Sequence, residues 1–241
     1  MWLLGEVVEL VDETPTVRTI VFDCPGWRAH LPGQHVDVRL TAEDGYQAQR
    51  SYSIANPPDG ERVALTVERL ADGEVSGYLT EELRVGDRIE LRGPIGGYFV
   101  WHAGLGGPLL LIAGGSGVVP LMAMLRHRVA VGSDVPVRLL LSSRSWQQII
   151  FREELERLGG QDGVQVLHTL TGSQPSSWHG YARRVDREML AEVAWPVDEA
   201  GPVYVCGPTG LVEAVATALT QLGHDPARIK TERFGPTGGR P

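Results

Sequence analysis

Three short stretches carry the residue types that could do chemistry. The first is Arg50-Ser51-Tyr52-Ser53, a guanidinium, a phenol and two hydroxyls within four residues. Such a set can clamp a phosphate, wall off a flat ring and donate or accept a hydrogen bond at the ring's edge. On a strand, alternation sends Ser51 and Ser53 to one face and Arg50 and Tyr52 to the other, unless the strand end twists. Read alone, the stretch also suits a plain polar strand end.

The second stretch, LLLIAGGSGVVPLMAML at residues 109–125, runs from an apolar strand through a glycine-rich turn into a helix. Gly114, Gly115 and Gly117 let the backbone approach a ligand, and a helix start offers unpaired N–H groups to a diphosphate. The third glycine of the ordinary dinucleotide fingerprint is replaced, because Gly117 leads into Val118-Val119-Pro120, so a merely tight strand–helix turn fits equally. The third stretch is VYVCGPTGLVEAV, residues 203–215, another strand that ends in Cys206-Gly207-Pro208 and enters a helix. Ligands of open α/β sheets gather at strand carboxyl ends where strand order reverses, so two such turns would meet in one crevice. A buried cysteine before a turn is the alternative.

The elements that must position these stretches change character near residue 104. Before it, alternating runs predict short strands at Glu6–Val11, Val17–Phe22, Gln34–Leu40, Gln49–Ile54, Val63–Leu70 and Arg88–Arg92, with turn residues between them and one helix at about Val75–Leu83. This is the pattern of a small barrel. After it, apolar strands at Leu109–Ala113, Val137–Leu141, Val164–Leu170, Val203–Cys206 and Arg228–Glu232 alternate with helices at Val118–Val131, Trp146–Leu158, Asp186–Val193 and Thr209–Leu222. Strands apolar on both faces and separated by helices predict a parallel sheet covered on both sides. The boundary is expected in the glycine-rich segment Ala103–Pro108, giving domains 1–103 and 104–241.

Composition narrows the function classes. The chain has 241 residues, 42% hydrophobic and 22% charged, with 22 basic against 30 acidic side chains and a formal charge of -8. Nucleic acid is not expected as a partner, since no basic run exceeds Arg183-Arg184. Lys230 is the only lysine, so nearly all positive charge is guanidinium, suited to phosphates. Cys24 and Cys206 form neither a CxxC pair nor a four-cysteine set, which excludes an iron–sulfur cluster of the usual ligation within this chain. They read as free thiols, as expected in the cytoplasm. The histidines show no metal-like spacing, and the tryptophans read as packing residues. No apolar stretch approaches the roughly 20 residues needed to span a bilayer, and the N-terminus lacks the pattern of a signal peptide.

Taken together, the motifs resemble the ferredoxin–NADP reductase family of flavoproteins. The resemblance rests on Arg50–Ser53, on ADGEVSGYL at 71–79, on GPIGGYF at 93–99, on the turns at 114–120 and 206–208, and on the closing ERFG at 232–235. It implies a Greek-key barrel that holds FAD and a doubly wound parallel-sheet domain that holds a nicotinamide dinucleotide, with hydride passing from the dinucleotide to the flavin. By that resemblance Arg50 clamps the FAD pyrophosphate, Ser51 belongs to the same motif, Tyr52 lies against the flavin, and Ser53 hydrogen-bonds near its N5. Gly73, Val75 and Ser76 take the second phosphate contact. Gly115, Gly117 and Pro120 face the dinucleotide phosphates, while Cys206, with Gly207 and Pro208, sits beside the nicotinamide. Phe234 resembles the terminal aromatic that covers the flavin, and Glu232 is a candidate proton handler.

For the dinucleotide, Ser143 and Arg144 after the second strand of the sheet suit the 2′-phosphate of NADPH better than the bare ribose of NADH, with Arg152 and Arg183 as further candidates. The expected protein is a monomeric FAD-dependent NAD(P)H reductase that passes electrons singly to a ferredoxin, a flavodoxin or an oxygenase component. The alternatives are a free-flavin or quinone reductase and, in another class, a nucleotide-binding subunit without turnover.

Overall fold

The computed structural model describes residues 1–234; Gly235, the last residue of the ERFG motif, lies outside the described residues with the six that follow it. The chain divides into two compact units, Met1–His102 with Met122–Val131, and Ala103–Leu121 with Gly132–Pro241.

The first unit is an antiparallel sheet of β1 (Leu3–Thr14), β2 (Val17–Asp23), β3 (His35–Thr41), β4 (Gln47–Ser53), β5 (Arg62–Glu68) and β6 (Arg88–Ile95), in the order β4-β3-β6-β1-β2-β5. β6 inserts between β1 and β3, the crossed connection of a Greek key. A bridge between Ile54 and Leu65 brings the end of β4 to β5 and closes the sheet on itself. Ile20, Phe22, Val36, Val38, Leu65, Val67 and Leu91 fill the interior from alternate positions along the strands. A single helical segment follows β5: α1 (Glu74–Gly77) runs directly into a π-helical turn at Tyr78–Glu82, and buries Val75, Ser76, Leu79 and Thr80.

The second unit is a five-stranded sheet of β7 (Leu109–Gly114), β8 (Val137–Ser145), β9 (Val164–Ser173), β10 (Val203–Pro208) and β11 (Ile229–Phe234). Every neighbouring pair is parallel, in the order β11-β10-β7-β8-β9. Strand order therefore runs outward from β7 in one direction to β9 and reverses to place β10 and β11 on its other side, the arrangement of a doubly wound sheet. β7 is buried at all six positions, as its unbroken apolar run requires. The helices are α3 (Arg152–Gly159), α4 (Arg187–Val193), α5 (Thr209–Gln221) and the first turn of α2 (Val118–Ala130), the rest of which, from Met122, belongs to the first unit.

Two expected elements differ in detail. The helix expected over Trp146–Leu158 breaks into a 3-10 turn at Trp146–Gln148 and α3, because Ile149, Ile150 and Phe151 are pulled into the core and Phe151 adopts a left-handed φ of 58°. Burial of three large side chains in succession overrides the helical spacing. Asp186, expected as the first residue of a helix, is its N-cap instead, with its carboxylate accepting from the Met189 amide at 2.8 Å. No helix among the described residues is long and apolar enough to cross a membrane.

Candidate functional site

In the second unit the site is built from two strand ends. β7 and β10 are hydrogen-bonded neighbours with Ala113 opposite Cys206, so the turn after β7, at Gly115–Gly117, and the end of β10, at Gly207-Pro208, lie side by side where the strand order reverses. Their backbones touch. A Cβ added to Gly117 would fall 2.2 Å from the Cys206 carbonyl oxygen and 2.8 Å from the Gly207 nitrogen, and one on Gly207, at φ 150°, would fall 3.0 Å from the Gly114 nitrogen. Gly115 has φ 54°, a conformation costly for any residue with a side chain. The glycines are therefore required by backbone against backbone. Pro120 is buried in the first turn of α2, where its missing N–H costs nothing.

Beneath these turns the last strand supplies a carboxylate. Cys206 is opposite Glu232 across β10 and β11, and its thiol donates to Glu232 Oε2 at 3.7 Å. Burial, with the neighbouring Glu232 charge, pushes the Cys206 thiol well up, and burial likewise raises the Glu232 carboxyl above the ordinary carboxylate range. That direction favours the thiol of Cys206 over the thiolate, the form that acts as a nucleophile. What the pair offers is a small polarizable contact beside a carboxyl able to hold a proton. Phe234 follows two residues later, half-buried and opposite Pro208. Arg233 between them is tied to Glu213 of α5, donating through Nε at 2.8 Å and Nη2 at 2.6 Å.

The end of β8 carries the residues expected near the dinucleotide's far end. Strand alternation separates them: Ser143 is buried with its hydroxyl unpartnered among the described residues, whereas Arg144 is exposed. Of the other two arginines, Arg152 lies over the Trp146 ring at 5.6 Å, and Arg183 is held by Asp186 at 2.5 Å.

In the barrel, β4 presents Arg50 and Tyr52 from one face and Ser51 from the other. Tyr52 packs against the barrel core, and burial pushes its hydroxyl up to about 12 against the opposing charge of Arg50, so it remains a phenol. Arg50 is exposed and makes no ion pair among the described residues; its Nη1 donates only to the neighbouring Gln49 carbonyl at 2.6 Å. Arg18, Arg39, Arg69, Arg88 and Arg92 of the same unit each face a carboxylate. Ser53 is half-buried at the end of the strand.

α1 begins beside β4, with the Tyr46 hydroxyl donating to Glu74 at 3.2 Å. The Ser76 hydroxyl is buried and engaged in its own loop, accepting from the Leu70 amide and donating to the Gly73 carbonyl, each at 3.1 Å. A Cβ on Gly73 would collide with that hydroxyl at 2.2 Å. Ser76 thus shapes the loop, and any phosphate contact there falls to the first-turn amides, which have no partner within the helix. The sequence pointed to neither Asp37 nor Arg92: the Ser51 hydroxyl donates to Asp37 Oδ1 at 2.6 Å, and Arg92 donates to Asp37 Oδ2 at 2.5 Å.

Residues 5–100 match the oxidoreductase FAD-binding domain and residues 111–217 the oxidoreductase NAD-binding domain. Ferredoxin–NADP reductase B of Sorangium cellulosum is 34% identical over 92% of this chain and 93% of its own. The chain belongs to the ferredoxin–NADP reductase family. Another relative of this reductase-family chain, the glycine betaine monooxygenase reductase subunit of Chromohalobacter salexigens, is 34% identical over 95% of the chain but 63% of its own length. The chain thus spans a little under two thirds of that relative. Among solved structures, the FAD/NAD-binding domain of nitric oxide dioxygenase from Vibrio cholerae superposes with a TM-score of 0.87 at 28% identity, covering 97% of this chain and 99% of that one. The family's cofactors are accordingly FAD and a pyridine nucleotide.

The two site features in the second unit can be tested for what they cost. Gly117→Ala forces a Cβ into the Cys206 carbonyl and is expected to destabilise by about 3 kcal/mol, the upper end of overpacking effects, seen as a fall in melting temperature; an unchanged melting temperature would contradict the close approach. Glu232 has a raised folded-state value, so its stability contribution is full at low pH and is lost as pH rises through that value. Glu232→Gln escapes the loss. It is expected to melt higher than the parent at pH 8, with the gap closing toward pH 4; a lower melting temperature at pH 8 would refute the account.

Proposed function

We propose that this chain is an FAD-dependent NAD(P)H oxidoreductase that takes hydride from the dinucleotide and passes electrons singly to a protein acceptor, with residues 1–103 forming the FAD-binding part and 104–241 the NAD(P)-binding part. The observation that carries the proposal is the pair of glycine turns at the strand reversal, backbone against backbone, with Cys206 and Glu232 directly beneath. Such a surface suits a diphosphate and a flat ring and leaves no room for a side chain to intrude.

The residues fit the two cofactors. Arg50, exposed and without an internal carboxylate, is free to fork onto a pyrophosphate, and the amides of Val75 and Ser76 would meet the same group. Tyr52 supplies an apolar wall, and Ser53 a hydroxyl that donates or accepts at a ring nitrogen. FAD, when bound, supplies the conversion of a two-electron hydride into single electrons. The turns at Gly115–Gly117 and Gly207-Pro208 would hold the dinucleotide, Cys206 would offer a neutral contact beside the nicotinamide, and Glu232 would keep a proton near by. Phe234 would shield the flavin face.

NADPH is the proposed donor, supported by Arg144, the exposed arginine at the end of β8. The proposed acceptor is a ferredoxin, a flavodoxin or an oxygenase component, supported by a relative named as the reductase subunit of a monooxygenase. Two free, buried cysteines among the described residues support a reducing, cytoplasmic setting.

The deciding experiment is the visible spectrum of the purified protein without oxygen, before and after one equivalent of NADPH or NADH, followed by addition of an oxidised ferredoxin. Flavin bands that bleach and return with the ferredoxin support the proposal. Bleaching that returns only with free flavin or quinone would replace it, and a protein that stays colourless when given FAD would leave a non-catalytic module. Arg50→Ala is expected to weaken FAD retention by about 1.5–3 kcal/mol, the range for a hydrogen bond to a charged group; unchanged flavin content after gel filtration would remove Arg50 from the site. Arg144→Ala should raise the KM for NADPH roughly tenfold while barely moving that for NADH. Equal changes would end the case for NADPH.

A further inference from the structure

β4 is the strand that carries Arg50, Tyr52 and Ser53, yet it lies at the end of the strand order and has a continuous ladder with β3 alone. Within that ladder stands Asp37, directly opposite Ser51 on β4 and, on its other side, opposite Arg92 of β6. Val36 and Val38 on either side point into the barrel core and are fully buried, so alternation turns Asp37 to the outer face. Its exposure is nevertheless only 6%. A carboxylate that hidden on the outside of a sheet is uncommon and is tolerated only when its oxygens are matched.

Here both are matched, and in opposite directions. Oδ1 accepts the Ser51 hydroxyl at 2.6 Å, while Oδ2 accepts Arg92 Nε at 3.1 Å and Nη2 at 2.5 Å. Burial alone would push the Asp37 carboxyl up, but the hydrogen bonds from Ser51 and Arg92 outweigh it and hold the group below its usual range. An ionised carboxylate only accepts, so Ser51 has to give it its one hydroxyl proton. The guanidinium of Arg92 in turn lies 4.9 Å from the Trp2 ring. The result is a transverse row, Ser51–Asp37–Arg92–Trp2, that runs across the strands behind the face bearing Arg50 and Tyr52.

We propose that Asp37 is a positioning residue for the flavin-binding strand, acting through Ser51, and that Ser51 holds the strand and does not itself contact the cofactor. The bond falls on the residue between Arg50 and Tyr52, so it fixes the twist of β4 where two side chains of opposite chemistry must reach one ligand. This rests on the reading of Arg50 and Tyr52 as FAD contacts.

The test measures the FAD dissociation constant and the visible circular dichroism of bound flavin in Ser51→Ala, Ser51→Thr, Asp37→Ala and the Ser51→Ala/Asp37→Ala double variant, with Arg50→Ala as reference. Ser51→Ala is expected to weaken FAD binding about tenfold, the loss of one charge-assisted bond, and to alter the flavin dichroism. Ser51→Thr, which keeps a hydroxyl, is expected to restore both. In the Asp37→Ala background, removing Ser51 is expected to add nothing, the mark of one shared interaction. A dissociation constant for Ser51→Ala within twofold of the parent overturns the proposal. So does an equal loss with and without Asp37, which would make Ser51 a direct contact. Weakened binding by Arg50→Ala beside an unaffected Ser51→Ala sinks the positioning role alone, whereas unaffected binding by Arg50→Ala sinks the reading of the flavin site and this inference with it. If the Asp37 variants do not fold, Arg92→Ala takes their place: removing the guanidinium that holds Asp37 is expected to weaken FAD binding, and unchanged binding in that variant overturns the positioning role.

Discussion

The contact between the turn after β7 and the end of β10 is the constraint on which the nucleotide-binding unit depends. Parallel pairing of Ala113 with Cys206 brings two strand ends together, and the chain can leave both only if neither turn carries a Cβ at the meeting point. Gly117 against the Cys206 carbonyl and Gly207 against Gly114 meet that condition from opposite sides. The glycines that clear the backbone for packing also clear it for a ligand. Packing alone therefore fixes these residues, and the backbone it clears is the surface that the proposed site would use.

The same strand ends set the electrostatics. Cys206 and Glu232 are neighbours because β10 and β11 are in register; Cys206 is buried on an interior strand, and Glu232 is half-buried on the strand at the sheet's edge. Burial disfavours the charged form of each, which favours the thiol of Cys206 and raises the carboxyl of Glu232. A raised carboxyl also detracts from stability at neutral pH, a cost characteristic of functional sites.

The order and type of nearly every element was legible in the sequence, because β7 is apolar throughout and the barrel strands alternate, and these are burial patterns that the order of the residues records. The glycine turns were legible too, as strand–glycine–helix transitions. What sequence could not supply was side-chain direction. Ser143 and Arg144 are adjacent, yet the pleat buries one and exposes the other. Ser76 has the residue type for a phosphate contact, but its hydroxyl is engaged with the Leu70 amide and the Gly73 carbonyl. The break at Phe151 was hidden for a similar reason, since helical spacing gives no sign that three consecutive side chains will turn inward.

Asp37 shows why such residues escape a reading by motif. Its partners lie 14 and 55 positions away in the chain, and nothing near it in sequence marks a carboxylate as buried. Only the ladder, which sets β3 between β4 and β6, brings Ser51, Asp37 and Arg92 into one line. A motif of four residues on a strand at the end of a sheet is incomplete by itself, for its side chains are only as well placed as the strand that bears them. The barrel supplies the missing support from the opposite face, through a charge held between two strands, and that support is invisible until the strands are paired.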